Sequence, residues 1–245
     1  MNNGPFALPR ACAYDARIML DERILFLDGE AIVIDKPAGL PVDAPRDGSL
    51  SLENHLQSLT FGFRRWPVAV HRLDRDTSGC LLLARNPKAA GRFTRAFEDR
   101  AVAKSYLAII GGVPATRKGT IDLPLRKVSS AERGWRMVGA KDGERGAKAA
   151  VSHWTVLATA GNRALIRFRP ETGRTHQLRV HALEGLGHAI VGDPIYGDGR
   201  GAARTLLHAE RIELTREGKP PVLATAPFPA DFAALGFAAP EPDGG

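Results

Sequence analysis

Short apolar runs of four to nine residues recur along this chain, separated by Gly, Pro, Asn and Asp, and only a few stretches carry helical spacing. Ile24–Leu27 and Ala31–Ile34 flank Asp28-Gly29-Glu30 and predict a hairpin around an Asp-Gly turn. Leu52, Leu56 and Leu59 predict a short helix over Leu50–Leu59, starting at Ser49 or Ser51. Val68-Ala69-Val70 and Cys80–Ala84 read as partner strands on either side of a polar stretch. A helix follows from Asn86 to Arg100, with Pro87 in its first turn, Phe93 and Phe97 on one face, and Arg92 and Arg95 off it.

Lys104–Gly112 alternates and then becomes wholly apolar, which predicts a strand exposed at its start and buried at its end. Ile121–Leu125 is a further short strand. Val151–Leu157 and Arg163–Pro170 pair around Ala160-Gly161-Asn162, and the alternating arginines of the second predict one buried and one basic face. Thr175–Leu183 suits a short helix capped by Thr175 and ending before Gly185. Gly192–Gly197 is a pair of tight turns, Leu206–Ala209 and Arg211–Leu214 fit edge strands or a short helix, and Pro221–Pro229 is extended. Lys127–Ala150, poor in apolar residues, reads as a mobile basic loop. Strands interrupted by single helices, with no repeated βαβ unit, predict an α+β fold: a mostly antiparallel mixed sheet with flanking helices and loops. The expected organisation is a leader over residues 1–20, one domain over 21–237, and a flexible tail over 238–245.

Composition narrows the partner. Lys and Arg number 34 against 27 Asp and Glu, a net charge of +7, which favours a polyanion. Cys12 and Cys80 lie far apart, and Cys80 opens a leucine run, so a buried reduced thiol is expected in place of a disulfide. No basic leader precedes an apolar stretch, and no window reaches about 18 apolar residues, so a cytoplasmic protein without a membrane span is expected.

The candidate chemistry gathers in His71-Arg72-Leu73-Asp74-Arg75-Asp76-Thr77-Ser78-Gly79, immediately before the buried run at Cys80. Ionised groups this dense must be paired, solvated or committed to a ligand. A reactive carboxylate needs a cation to hold it ionised and a wall that excludes water. Tyr106, two residues after Lys104, supplies a ring, and Gly173-Arg174-Thr175-His176-Gln177-Leu178-Arg179-Val180-His181 supplies two guanidiniums and two imidazoles. Metal readings are weak: Asp74 and Asp76 with His71 lack an accompanying acidic cluster, and His176 and His181 are five apart, not four. Gly111-Gly112 and Gly185-Leu186-Gly187 read as turns rather than phosphate loops.

His-Arg-Leu-Asp-x-x-Thr-Ser-Gly resembles the signature of the RluA-type RNA pseudouridine synthases. Asp35-Lys36-Pro37-x-Gly39, Lys104-x-Tyr106-x-Ala108 and Gly173–His181 resemble further shared motifs in the family's order, and the likeness spans roughly Leu25 to Leu214. The resemblance implies the pseudouridine synthase catalytic fold, with Asp74, not Asp76, as the catalytic residue. It implies that Tyr106 stacks on the target uracil and assists proton removal, and that Arg179 pairs with the aspartate. His71, Arg72, Arg75, Thr77, Arg174, His176 and Gln177 are then expected to bind substrate, Arg72 and Arg75 by holding the RNA backbone while the base is flipped.

The implied reaction turns a uridine of transfer or ribosomal RNA into pseudouridine. The N-glycosidic bond breaks, the uracil rotates, and its carbon 5 joins the same ribose, by way of an ester to the aspartate or a glycal. No atom is gained or lost, so no cofactor and no metal is expected; nor is a DNA partner, and the chain is expected to act as a monomer. Two departures stand out. The 20 residues before the first strand leave no room for the extra RNA-binding domain that many relatives carry, and Asp43 occupies a place where many have histidine. The competing readings are a noncatalytic RNA-binding protein of the same fold, which would not need Asp74, Tyr106 and Arg179 together, and a metal-dependent hydrolase inactivated by chelator.

Overall fold

The computed structural model describes residues 19–45, 48–130, 132 and 134–241. Nearly all of the expected leader, Cys12, and residues 242–245 of the expected tail lie outside them. The chain opens with a 3-10 turn, Leu20–Arg23, and the hairpin β1 (Ile24–Leu27) and β2 (Ala31–Lys36). Asp28 closes that hairpin by accepting the Glu30 and Ala31 N–H groups on one carboxylate oxygen, at 2.8 Å each. A 3-10 helix covers Leu52–Leu59, burying the three leucines that predicted it. Asn54 caps it by accepting the Ser51 N–H at 2.9 Å.

β3 (Val68–Ala69) leads into the polar motif and β4 (Ser78–Ala84) leaves it, paired antiparallel with β3 as the sequence predicts. Helix α1 (Pro87–Glu98) is capped by the Asn86 side chain, which accepts the Ala89 N–H at 2.9 Å. Next come β5 (Val102–Ile110), β6 (Lys118–Asp122), β7 (Leu125–Ser130), β8 (Gly134–Gly139), β9 (Val151–Ala160) and β10 (Arg163–Pro170). Helix α2 (Gln177–Val180) runs into a π-helical turn at His181–Gly185, and β11 (Leu207–Arg216), β12 (Lys219–Thr225) and α3 (Ala230–Ala233) complete the chain.

Ten strands form one mixed, mostly antiparallel sheet in the order β1-β2-β4-β11-β5-β10-β9-β6, with β12 on β11 and β3 on β4. The fork is at β11. One edge pairs antiparallel with β5 from Leu207 to Leu214, while the other pairs parallel with β4 at His208 and Ala209 and then antiparallel with β12. Two apolar clusters meet at this junction. One joins β1, β2, β4 and α1 to β12 and the later part of β11; the other joins β5, β9 and β10 to Leu178, Ala182 and Phe232. Tyr106 packs against both, which places it on the seam.

Gly79 makes the parallel pairing possible. It sits opposite Ala209 with φ at +103°, and a Cβ there would lie 2.2 Å from the Ala209 carbonyl oxygen. Neither backbone can yield within a ten-stranded sheet. Gly79→Ala is therefore expected to cost more than about 3 kcal/mol of stability, combining overpacking with left-handed strain, and to appear as loss of soluble protein or a collapsed melting temperature. An unchanged melting curve would show that the β4–β11 junction is loose.

Four expectations are corrected. The stretch Lys127–Ala150 is not a mobile loop throughout: β7 and β8 form a separate two-stranded sheet, in register from Leu125↔Gly139 to Ser130↔Gly134. The stretch Leu207–Leu214 is neither an edge strand nor a helix but belongs to the three-partnered β11, whose apolar run is buried on both faces. The short helix begins at Gln177 behind a left-handed His176 (φ 54°), not at a Thr175 cap, and runs on through Gly185. Finally, the arginines of β10 do not form one basic face. Arg167 is buried, where Glu210 accepts from its Nε and Nη2 at 2.8 and 2.6 Å and Ser105 donates to the same carboxylate at 3.0 Å. Alternation reports burial on a half-wet sheet, and a paired guanidinium can occupy a buried position.

Candidate active site

The polar motif folds as a tight loop because β2 supplies its foundation. Lys36 is fully buried, and its ammonium donates to the carbonyls of Pro37, Leu40 and Arg75 at 2.8, 2.9 and 3.1 Å. Burial pulls its pKa down to about 7, against the pull of Asp76 and Asp74. Only the ammonium has three N–H groups for three acceptors, so the cation is the form this geometry holds. The Gly39 N–H donates to the Arg75 carbonyl at 2.9 Å, and Thr77 donates to the Asp74 carbonyl at 3.1 Å. The Asp-Lys-Pro-x-Gly segment is thus the buttress of the loop that carries Asp74.

Asp74 faces a cleft of about 410 Å³ on the seam between the two clusters. Arg179 donates from Nη1 to Asp74 Oδ2 at 3.2 Å. Its other edge is fixed: Nε and Nη2 donate to the two oxygens of Asp193 at 2.7 and 2.8 Å. Asp193 is fully buried and also accepts the Ile195 and Tyr196 N–H groups at 2.9 and 3.0 Å. Burial works against charge on both partners, yet hydrogen bonding from Arg179 holds the Asp193 carboxyl below its usual range. Asp193 and Asp74 together hold the guanidinium above its own. A buried bidentate pair therefore aims one remaining N–H edge at Asp74.

His176 stands beside it, Nε2 4.0 Å from Asp74 Oδ2, beyond hydrogen-bond reach. Its Nδ1 meets the Tyr196 hydroxyl at 2.9 Å, and that hydroxyl already accepts the Met137 N–H at 3.0 Å. His176 Nδ1 and the Tyr196 hydroxyl share one proton, and Nε2 is the ring nitrogen that faces the carboxylate. Burial lowers the imidazole's pKa more than Asp74 raises it. Trp135 of β8 stacks on the same ring at 5.2 Å, with Lys127 Nζ 4.8 Å from the indole.

Tyr106 forms the opposite wall. Burial, then Asp74 and Cys80, push its phenol above the usual range, so it stays protonated at neutral pH. Lys104 and Phe97 extend this wall, the ammonium 5.6 Å from the ring centroid.

The cleft gathers Asp74, Tyr106, Arg179, His71, Arg72, Thr77, Arg174, His176 and Gln177. Several have their polar atoms occupied by the protein. His71 Nε2 accepts the Leu82 N–H at 2.9 Å while its ring stacks on Phe97 at 4.5 Å. Gln177 accepts from Thr172 and the Arg174 N–H and donates to Val151 and Ser152, which knots the 172–177 turn. Arg174 gives its Nε to the Ala149 carbonyl, and Arg72 pairs with Asp43 in the open. Thr77 is buried. Arg75 does not line the cleft; it turns away to the Gly39 carbonyl at 3.2 Å. Sequence reasoning missed Asp193, Tyr196 and Trp135. The signal for Asp193 was an aspartate opening the Asp-Pro-x-Tyr-Gly double turn, where a carboxylate is well placed to accept turn N–H groups.

Two buried histidines make stability depend on acid. Burial lowers both His71 and His208 to about 3. His208 Nδ1 meets Ser78 Oγ at 2.9 Å beside the β4–β11 junction. Their folded pKa lies below the unfolded value near 6.5, so the unfolded chain takes up protons that the folded one refuses. Stability is fully present above about pH 6.5 and falls as pH drops toward 3. Urea unfolding is expected to show these two histidines as about 2.4 kcal/mol of the stability lost between pH 6 and 5, about 1.2 each, and His208→Gln should lower that loss by about 1.2. A flat profile would contradict neutral burial.

Comparison with known proteins identifies the company this cleft keeps. The profile of the RNA pseudouridylate synthase family matches residues 30–184. An uncharacterized RNA pseudouridine synthase of Zymomonas mobilis is 58% identical over 221 residues, 89% of this chain and 99% of its own length. The ribosomal large subunit pseudouridine synthase D of the same organism is 38% identical over 193 residues, 76% of this chain and 59% of its own. In structure, human RNA pseudouridylate synthase domain containing 4 superposes with a TM-score of 0.74 at 29% identity, covering 88% of this chain and 92% of that one. Human RNA pseudouridylate synthase domain containing 1 gives 0.70 at 29% identity, covering 90% and 96%. A guanidinium-held aspartate on the seam of a mixed sheet, a family profile over most of the chain and relatives at this identity lead to one conclusion: the chain belongs to the RNA pseudouridine synthases of RluA type.

Proposed function

We propose that this enzyme converts one or a few uridines of folded ribosomal or transfer RNA into pseudouridine, with Asp74 as the group that acts on the ribose. The observation that carries the reading is the Asp74–Arg179–Asp193 chain, which leaves Asp74 the one partly open carboxylate of the three-member set, 22% exposed against none for Asp193. Arg179 keeps Asp74 ionised and oriented. Tyr106 supplies a flat wall for the flipped uracil and, staying protonated, a hydroxyl that can give or relay a proton without itself becoming the resting base. His176 presents its Nε2 edge near the same carboxylate. Arg72 and Arg174, on the cleft rim, neutralise phosphates.

Isomerisation conserves atoms and electrons, so the reaction itself calls for no cofactor or metal. The working unit is residues 21–237, acting as a monomer in the cytoplasm on RNA, not DNA. Likeness to a ribosomal large subunit enzyme puts ribosomal RNA first among substrates to be tried. Purified protein incubated with total RNA from a host strain lacking the gene should restore pseudouridine at a few defined positions, read at single-nucleotide resolution, with or without chelator. RNA cleaved with no site restored, and left intact when chelator is present, favours the metal-dependent hydrolase. RNA binding with no site restored favours a noncatalytic RNA-binding protein of this fold.

A further inference from the structure

A second group of residues, away from the cleft, is arranged for a ligand. Between the 3-10 helix and β3 the chain presents Phe61, Phe63 and Trp66 to solvent, 41%, 39% and 57% exposed. Arg64 and Arg65 lie between them, exposed, with no ion pair among the described residues. No Asp or Glu occurs in sequence between Glu53 and Asp74. Scattered exposed apolar residues are ordinary, but here three large exposed rings and two exposed guanidiniums fall within six positions.

The patch is built from beneath. Arg85 is buried; it donates to the carbonyls of Asp28, Thr60 and Phe61 at 2.6, 3.1 and 3.0 Å, and its guanidinium lies 4.1 Å from the Phe63 ring centroid. Phe61 is held at a left-handed φ of 43°, a conformation that a bulky side chain rarely adopts. Core packing does not require an aromatic at that position, since its ring faces water.

Position relates the patch to the cleft. β4 runs from Ser78, next to the catalytic loop, to Ala84, which pairs with Val68 at the foot of the patch. Six residues of strand separate the two by about 20 Å. A strand of RNA entering the cleft can therefore reach it some nucleotides from the target. Rings flanking a pair of guanidiniums suit stacked bases and their phosphates, and a segment that carries no carboxylate of its own suits a polyanion better than a protein surface of mixed charge.

We propose that Phe61, Phe63, Trp66, Arg64 and Arg65 form an accessory platform for a single-stranded stretch of the substrate RNA, which helps choose the substrate. The inference rests on the reading of RNA as the substrate.

The test uses the full chain and a fluorescein-labelled oligocytidylate, which offers the cleft no uridine. Anisotropy is read across a salt series for the wild type, Trp66→Ser and Arg64→Gln/Arg65→Gln. These side chains are exposed, and matching melting curves check that the fold is intact. Trp66→Ser should weaken binding about tenfold with the salt slope unchanged. Arg64→Gln/Arg65→Gln should weaken it and reduce the slope of log K against log salt by about 1.4. Both should still modify total RNA at the wild-type positions, at higher protein concentration. Wild-type affinity and slope in both variants, or no binding by the wild type, overturns the platform. If the wild type binds through these residues and yet makes no pseudouridine, the platform stands and the enzymatic reading falls.

Discussion

Asp74→Asn is expected to reduce pseudouridine formation by at least about a thousandfold while leaving RNA affinity within about threefold of wild type. Asparagine keeps the shape and can still accept the Arg179 Nη1–H, now 3.2 Å from the carboxylate, so the loop should hold. It removes the negative charge and the lone pair that the proposed reaction uses on the ribose. Affinity, by contrast, comes largely from phosphates met by basic groups, which the change does not touch. Filter binding and single-turnover pseudouridine mapping on the same RNA separate the two. Full activity in Asp74→Asn would end its assignment as the catalytic group. In the wild type, a primary isotope effect from deuterium at carbon 2′ would select the glycal route, and its absence the ester.

The second large effect is expected at a residue that never meets the substrate. Asp193 is fully buried and accepts four hydrogen bonds, two from Arg179 and two from backbone N–H groups. Asparagine would turn one accepting oxygen into an NH2 that faces another donor, and would leave Arg179 a buried cation supported by Asp74 alone. Breaking such a pair from one side costs about 3–5 kcal/mol. Asp193→Asn should therefore lower stability by that amount in urea unfolding. It should also cut turnover at least about a hundredfold, because Arg179 no longer holds Asp74 in place.

The double variant Arg179→Met/Asp193→Asn separates the two consequences. It removes the uncompensated charge while the asparagine oxygen still accepts the Ile195 and Tyr196 N–H groups, so stability should recover to within about 2 kcal/mol of wild type while turnover stays low. Recovery of both would show that the pair serves folding only. Near-wild-type stability and turnover in Asp193→Asn would show that something else orients the guanidinium.

The chain's order of residues was enough to find the hairpin at Ile24–Ile34, the helix after Asn86 and the β9–β10 pair, since each is encoded locally by a turn residue, a cap or an alternating run. It was also enough to single out Asp74, Tyr106 and Arg179, because dense charge before a buried strand is rare and the motifs carry the family's likeness. What it left open were elements whose conformation depends on distant partners. Lys127–Ala150 is poor in large apolar residues, yet β7 and β8 pair with each other, and β8 is secured from outside by Tyr196 on Met137 and Glu184 on Gly139. β11 reads like an edge, and only the three strands around it make it central.

The same division runs through the site. The candidate groups were legible in sequence, because chemistry depends on residue type. Which of them meet was decided by contacts between positions far apart in the chain. Arg179 meets Asp74 across 105 positions, and Lys36 carries the Arg75 carbonyl across 39. Asp193 had no standing in the sequence until Arg179 was found on it, and Arg75, equal to Arg72 in the motif, turned away from the cleft. Local pattern determines where a strand or turn can form, whereas the pairing of a buried charge is decided only when the sheet brings its partner within reach.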